Sequence, residues 1–181
     1  MTNELRAPNK TELLQALRSS GEEVVGRVSA LPPAEMEQGR YESGWNGRQI
    51  LAHIASIEWT YPRLLDLARE APAEAATAPA QVRRTEPGET PGTPTRIAQG
   101  GILSYNDRQV DKRAAASVQE LLEEFQTNRA ATIAAVEAVD DALLGRTIRS
   151  AGGITGPLAG VLNAIAVLHV LGHVNDITGA S

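Results

Sequence analysis

A chain of 181 residues with 42% apolar residues can bury one substantial core, and an aromatic content of 3% makes that core aliphatic. That composition favours close-packed helices over an aromatic-rich β-sandwich. The net charge of −5 gives no sign of the basic face that a nucleic-acid partner requires, and the absence of cysteine excludes disulfides, thiolate metal ligands and a cysteine nucleophile.

Residues 1–6 are polar and carry no apolar leader core, so a cytoplasmic location is expected. The first helix starts at Asn9, with Glu12 at capping-box spacing. Leu13, Leu14, Leu17, Val24, Val25 and Val28 recur on its inner face, and Pro32 and Pro33 end it. Polar residues 35–44 lead to a second helix that begins at 45–47. Its face is Ile50, His53, Ile54, Ile57, Tyr61, Leu64 and Leu65. Pro62 predicts a kink or a restart, and the helix is spent by Glu70.

Residues 71–101 hold Pro72, Pro79, Pro87, Pro91 and Pro94, half of the ten prolines. This stretch reads as a long crossover loop, either a disordered surface insertion or a lid. A third helical region begins near Ser104 and runs to Ala116 with Arg108, Lys112 and Arg113 outside. It restarts at the capping box Ser117–Glu120. Leu121, Leu122, Phe125, Val136 and Val139 point inward, and Asp140 and Asp141 close it. A glycine-containing connection over 145–156 follows. Pro157 then opens a last helix that ends near Thr178 with Gly179 as its stop. Residues 154–174 are uncharged and approach membrane-spanning length, yet Asn163, two histidines, Pro157 and the glycines mark a buried helix rather than a span. With no strand pattern and no repeat, the expected fold is all-α: one domain over 1–181, four helices and a crossover loop between the second and third.

The chain has three histidines. His169 and His173 are four apart, so both lie on one helix face, continuing the stripe Leu158, Leu162, Ile165. His53 lies between Ile50 and Ile57 on the inner face of the second helix. Imidazoles on facing helices can converge on one metal ion. They can equally be hydrogen-bonded core residues, and spacing alone leaves both readings open. Around them, Asp176 could accept from a histidine ring, Gln49 and Ser56 flank His53, and Gly172 would admit a close approach. Arg48, Arg108 and Arg113 are candidates for holding a carboxylate.

Residues 45–55, with Trp45 seven residues clear of His53, resemble the opening of the second helix in DinB-like proteins. This superfamily includes the mycothiol-dependent maleylpyruvate isomerase N-terminal domains. Residues 105–110, with the charged, Ala-rich helix after them, resemble that family's third-helix segment. Residues 168–177 are similar to its final-helix pattern of His or Glu, then His, then Ile. The start, residues 7–14, is also similar to the opening of ClbS-like four-helix proteins, which protect against a genotoxin, but the rest of their pattern is absent. The DinB-like resemblance implies a four-helix bundle with a three-residue metal site, His53, His169 and His173. Some members carry Glu where this chain has His169. It implies an open metal position and a thiol-dependent S-transferase or isomerase that uses mycothiol, bacillithiol or glutathione on a small electrophile. A metal-dependent hydrolase and a non-catalytic sequestration protein are the alternatives on the same fold. Imidazole ligands suit zinc or nickel, with copper and iron also compatible. Bundles of this family often pair as homodimers.

Overall fold

The computed structural model describes residues 5–39, 44–71 and 81–179. Four long helical elements form the bundle: α1 (Lys10–Ser29), α3 (Gly47–Glu58), α6 (Val118–Glu137) and the rod that ends the chain, Leu158–Thr178. That rod comprises α8 (Leu158–Leu162), a π-helical segment (Asn163–Leu168) and α9 (His169–Thr178). Both α1 and α3 pack against α6 and α9, so the four surround one interior. Shorter helices complete it: α2 (Pro33–Met36), α4 (Pro62–Glu70), α5 (Ile102–Asp111) and α7 (Asp141–Leu144).

Local chemistry explains most helix starts. Asn9, Asn46 and Ser117 each accept from the backbone N–H three residues on, while Glu12, Gln49 and Glu120 return the bond to the cap. Each such cap stabilises its helix by about 1 kcal/mol. Pro62 restarts the chain as α4 rather than bending α3, because it lacks the N–H that a continued helix needs. Gly179, at φ +66°, provides the left-handed stop after α9. The third helix ends at Glu137, earlier than Asp140 and Asp141. Lys10 Nζ takes the carbonyls of Glu137 and Val139 at 2.9 and 2.6 Å, and Asp140 instead caps α7. In the same region α5 stops at Asp111, short of Ala116, and Arg113 is partly buried against Glu124 rather than free in solvent.

The structure corrects the all-helical expectation in one respect. Four short strands form a sheet in the order β1 (Leu5–Arg6), β2 (Gln81–Arg84), β4 (Ile154–Pro157), β3 (Thr147–Arg149), all antiparallel. Much of the supposed loop is therefore tied down, although its residues 72–80 lie outside the described residues. β2 pairs with β4, Thr95 bridges to Arg149, and Arg96 N–H donates to the Arg149 carbonyl at 3.0 Å. The 145–156 connection is likewise a hairpin, and Pro157 ends its second strand. Close approach to the rod requires glycine at Gly160, where a Cβ would stand 2.3 Å from Val82 Cγ2.

The apolar core divides into two clusters. One gathers Leu13, Leu17, Tyr61, Leu65, Val136 and Leu162, and the other Val24, Val28, Ile54, Leu121, Phe125 and Val174. The rod Leu158–Thr178 runs through both and packs on α1 and α3, so its apolar length serves this interior. Between the clusters lie Glu58 and Arg129, 0% and 4% exposed. Arg129 Nε and Nη2 donate to the Glu58 carboxylate at 2.7 and 2.9 Å. Nη1 donates to the Leu17 carbonyl and to Ser20 Oγ, and Nη2 also donates to the Ala166 carbonyl at 2.6 Å. All five guanidinium donors are thereby used. Removing one partner would strand a buried charge, so Glu58→Gln is expected to lower unfolding stability by about 3–5 kcal/mol in urea titrations. The double variant Glu58→Leu, Arg129→Met should lose less than the sum of the two singles.

Candidate metal centre

The site begins with an irregularity in the rod. Over Asn163–Leu168 the hydrogen bonding shifts to π, so His169 N–H donates to the Ala164 carbonyl, five residues back. The Ile165 carbonyl, the normal acceptor, is left open. Tyr61 O–H donates to it at 2.9 Å, and it also lies against the His169 ring. Arg129 takes the next carbonyl, Ala166. Side chains from two other parts of the bundle therefore hold the π turn, and that turn sets where α9 begins.

α9 then presents His169 and His173 toward His53 of α3. Ring centroids stand 5.6 Å apart for His53 and His169, 5.1 Å for His53 and His173, and 4.5 Å for His169 and His173. One nitrogen from each ring falls within 4.8 Å of the other two. His53 and His173 are 3% and 6% exposed, whereas His169 opens onto an adjoining cavity. Trp45 packs at 5.3 Å on the His53 ring, which is the physical content of the Trp45 to His53 spacing.

Hydrogen bonding fits these rings to a cation. His173 Nδ1 stands 3.0 Å from Asp176 Oδ2, and a carboxylate only accepts, so the proton sits on Nδ1 and Nε2 carries a lone pair. That Nε2 faces His169 Nε2 at 3.1 Å. If His169 gives its own Nδ1–H to the Ile165 carbonyl, two lone pairs oppose each other. Two nitrogens bound to one cation at about 2.0–2.1 Å stand roughly 3 Å apart, so the spacing is that of a ligand pair. His53 Nδ1 is buried without a hydrogen-bond partner. The donor set therefore fits a divalent metal ion.

The other sequence candidates divide. Asp176 holds His173 rather than standing solvated at the helix end. Gln49 is engaged at the Asn46 cap, Ser56 Oγ donates to the His53 carbonyl at 2.8 Å, and Gly172 faces open space. Arg48 pairs with Glu37, Arg113 with Glu124, and Arg108 donates to the Gln99 carbonyl, so none of the three lines the cavity. The cavity, about 490 Å³, ends at His53 and His169, and its walls include Ile57, Tyr61, Leu64, Ile102 and Ile165. Its cations are Arg84 and Arg96, both from the stretch read as a loop. No periodic pattern marks them in sequence, because the strand and bridge that place them are too short to show one.

Burial, the largest cause, pushes His53 down to about 3 and His169 down to about 4, with neighbouring imidazoles adding to both shifts. His173 is also lowered by burial, against the pull of Asp176. The folded chain thus keeps neutral rings that the unfolded chain, with an ordinary value of 6.5, would protonate. Stability of the metal-free protein is full above that ordinary value and declines as pH falls toward the depressed ones. Between about pH 6 and 5, above most carboxylate titration, His53→Gln should flatten the slope of unfolding free energy by about 1.4 kcal/mol per pH unit. Denaturant titrations in the presence of a chelator measure it.

Comparison with known proteins agrees with this architecture. The sequence profile of the DinB superfamily matches residues 16–176. No curated protein matches the sequence significantly. Among solved structures, YfiT from Bacillus subtilis is similar over 94% of this chain and 84% of its own, with a TM-score of 0.66 and 16% identity. It is described as "a probable metal-dependent hydrolase with an unusual four-helix bundle topology". A four-helix bundle matched by that profile across nearly its whole length, this chain belongs to the DinB superfamily.

Proposed function

We propose that this protein is a metal-dependent enzyme in which His53, His169 and His173 hold one divalent ion, zinc or nickel, at the end of the cavity. The observation that carries the reading is the convergence of three neutral imidazoles within 4.8 Å, one of them open to a space large enough for a small molecule. A divalent ion with three protein ligands retains an open position, where it supplies Lewis acidity toward a thiol, a water or a carbonyl.

The chain's own residues would do the rest. Burial keeps the imidazoles unprotonated, and Asp176 orients His173. Tyr61 and Arg129 hold the turn that positions His169. The apolar walls exclude water from a bound molecule. For the reaction we favour thiol-dependent S-transfer or isomerisation with a low-molecular-weight thiol as cosubstrate. Among the described residues, those lining the cavity include no Asp or Glu to serve as a general base, and a thiol with an ordinary value near 8.5 gives up its proton far more readily than water. Hydrolysis is the second reading, supported by the description of YfiT.

Elemental analysis of tag-free protein tests the metal first. Wild type should carry stoichiometric divalent metal, His169→Ala should carry little, and Asp176→Asn should bind it about 10–100-fold more weakly. Equal, low metal in wild type and His169→Ala would sink the reading. Loss of a thiol upon incubation with a panel of small electrophiles then separates S-transfer from hydrolysis of ester and amide panels.

A further inference from the structure

The charge around the cavity runs opposite to that of the whole chain. The protein carries a net −5, yet the described residues lining this cavity include two guanidiniums and no carboxylate. Arg84 Nη1 donates to a neutral partner, the Gly152 carbonyl, at 3.0 Å. The Arg96 side chain makes no hydrogen bond or ion pair among the described residues. Its backbone is nevertheless fixed by the Thr95–Arg149 bridge and by its own N–H bond to the Arg149 carbonyl. The groups acting on it are another cation, Arg63, whose guanidinium stacks on the Trp59 ring at 3.7 Å, and the Tyr105 hydroxyl. A half-buried arginine held at an apolar wall, facing like charge and no carboxylate, lacks a counter-ion among the described residues.

A second observation points the same way. Two buried side-chain polar atoms lack a hydrogen-bond partner among the described residues, His53 Nδ1 and Asn106 Oδ1, and both residues line this cavity. Unpaired buried polar groups are rare in folded proteins; His53 Nδ1 is accounted for by the metal reading, and Asn106 Oδ1 is left as an acceptor for a guest in the cavity.

We propose that the cavity takes an organic anion: a molecule with an apolar body and a carboxylate that pairs with Arg96 and Arg84, its other end directed at the histidines. The Arg96 fork matches a carboxylate with two parallel N–H···O bonds, which a compact ammonium could not make. Ile57, Leu64 and Ile102 receive the apolar body. Asn106 favours a ligand that also carries an N–H or O–H donor. This substrate class deepens the proposed enzyme reading and rests on it for the direction of the reactive end. The anion site itself stands on the arginines.

Calorimetry on the full chain with 4-phenylbutanoate and its carboxamide tests the proposal. The acid should bind wild type about tenfold or more tighter than the amide, since a charge-assisted bond is lost with the carboxylate. Arg96→Gln should reduce that preference to about threefold or less, with metal content unchanged. Arg84→Gln should reduce it by a smaller factor. Equal binding of acid and amide, or no detectable binding of the acid, overturns the proposal. So does a preference that survives both arginine variants and disappears in His169→Ala, which would put the carboxylate on the metal and support the metal reading instead. An arginine-dependent preference in protein that holds no metal would leave the anion site standing and remove the enzyme reading.

Discussion

The guanidinium of Arg129 ties α6 to α1, α3 and the final rod at the centre of an otherwise largely aliphatic interior. It pairs with Glu58 at the end of α3, bonds Leu17 and Ser20 of α1, and takes the Ala166 carbonyl inside the π turn. Leu, Val, Ile and Ala surfaces slide against one another with little preference for register. A buried ion pair with every donor used has one arrangement, because any slip leaves a charge without partners in a low-dielectric interior. Its position between the two apolar clusters lets it set the axial alignment of both.

The same contact governs the metal site. An α-helical turn at Asn163–Leu168 would leave no Ile165 carbonyl for Tyr61, and would rotate His169 and His173 relative to the half of the rod that packs on α1. Tyr61 and Arg129 bond consecutive carbonyls and make the π turn the satisfied state. The histidines are then buried where their protonation is unfavourable, which is the condition a metal ligand needs. The cavity beside them is also lined by two arginines, Arg84 and Arg96, and by apolar walls.

Several of these features could be read in advance. The capping boxes at Asn9 and Ser117, the restart at Pro62 and the stop at Gly179 are local, since each depends on residues within four positions of one another. The inward direction of His53 follows from its place between Ile50 and Ile57. The sheet was invisible because its strands are two to four residues long and β2 buries only Val82, too little for an alternating pattern. The arginines weighed from sequence as carboxylate holders, against ordinary surface residues, are engaged elsewhere in the protein. Arg48, Arg108 and Arg113 are conspicuous on helices, but each has a nearby carboxylate or carbonyl.

By itself the sequence determined the four long helices, their capped starts, and the presence of three histidines on inward faces, because capping and periodicity are properties of a few consecutive residues. Tertiary structure alone decided that these histidines meet. His53 and His169 are more than a hundred residues apart, and their convergence depends on α3 and α9 packing in one register. It also decided the π turn, since the carbonyl freed there is stable only with Tyr61 and Arg129 in place. The same holds for the charge of the cavity: Arg84 and Arg96 reach it through pairings with β4 and Arg149, contacts that no local pattern encodes.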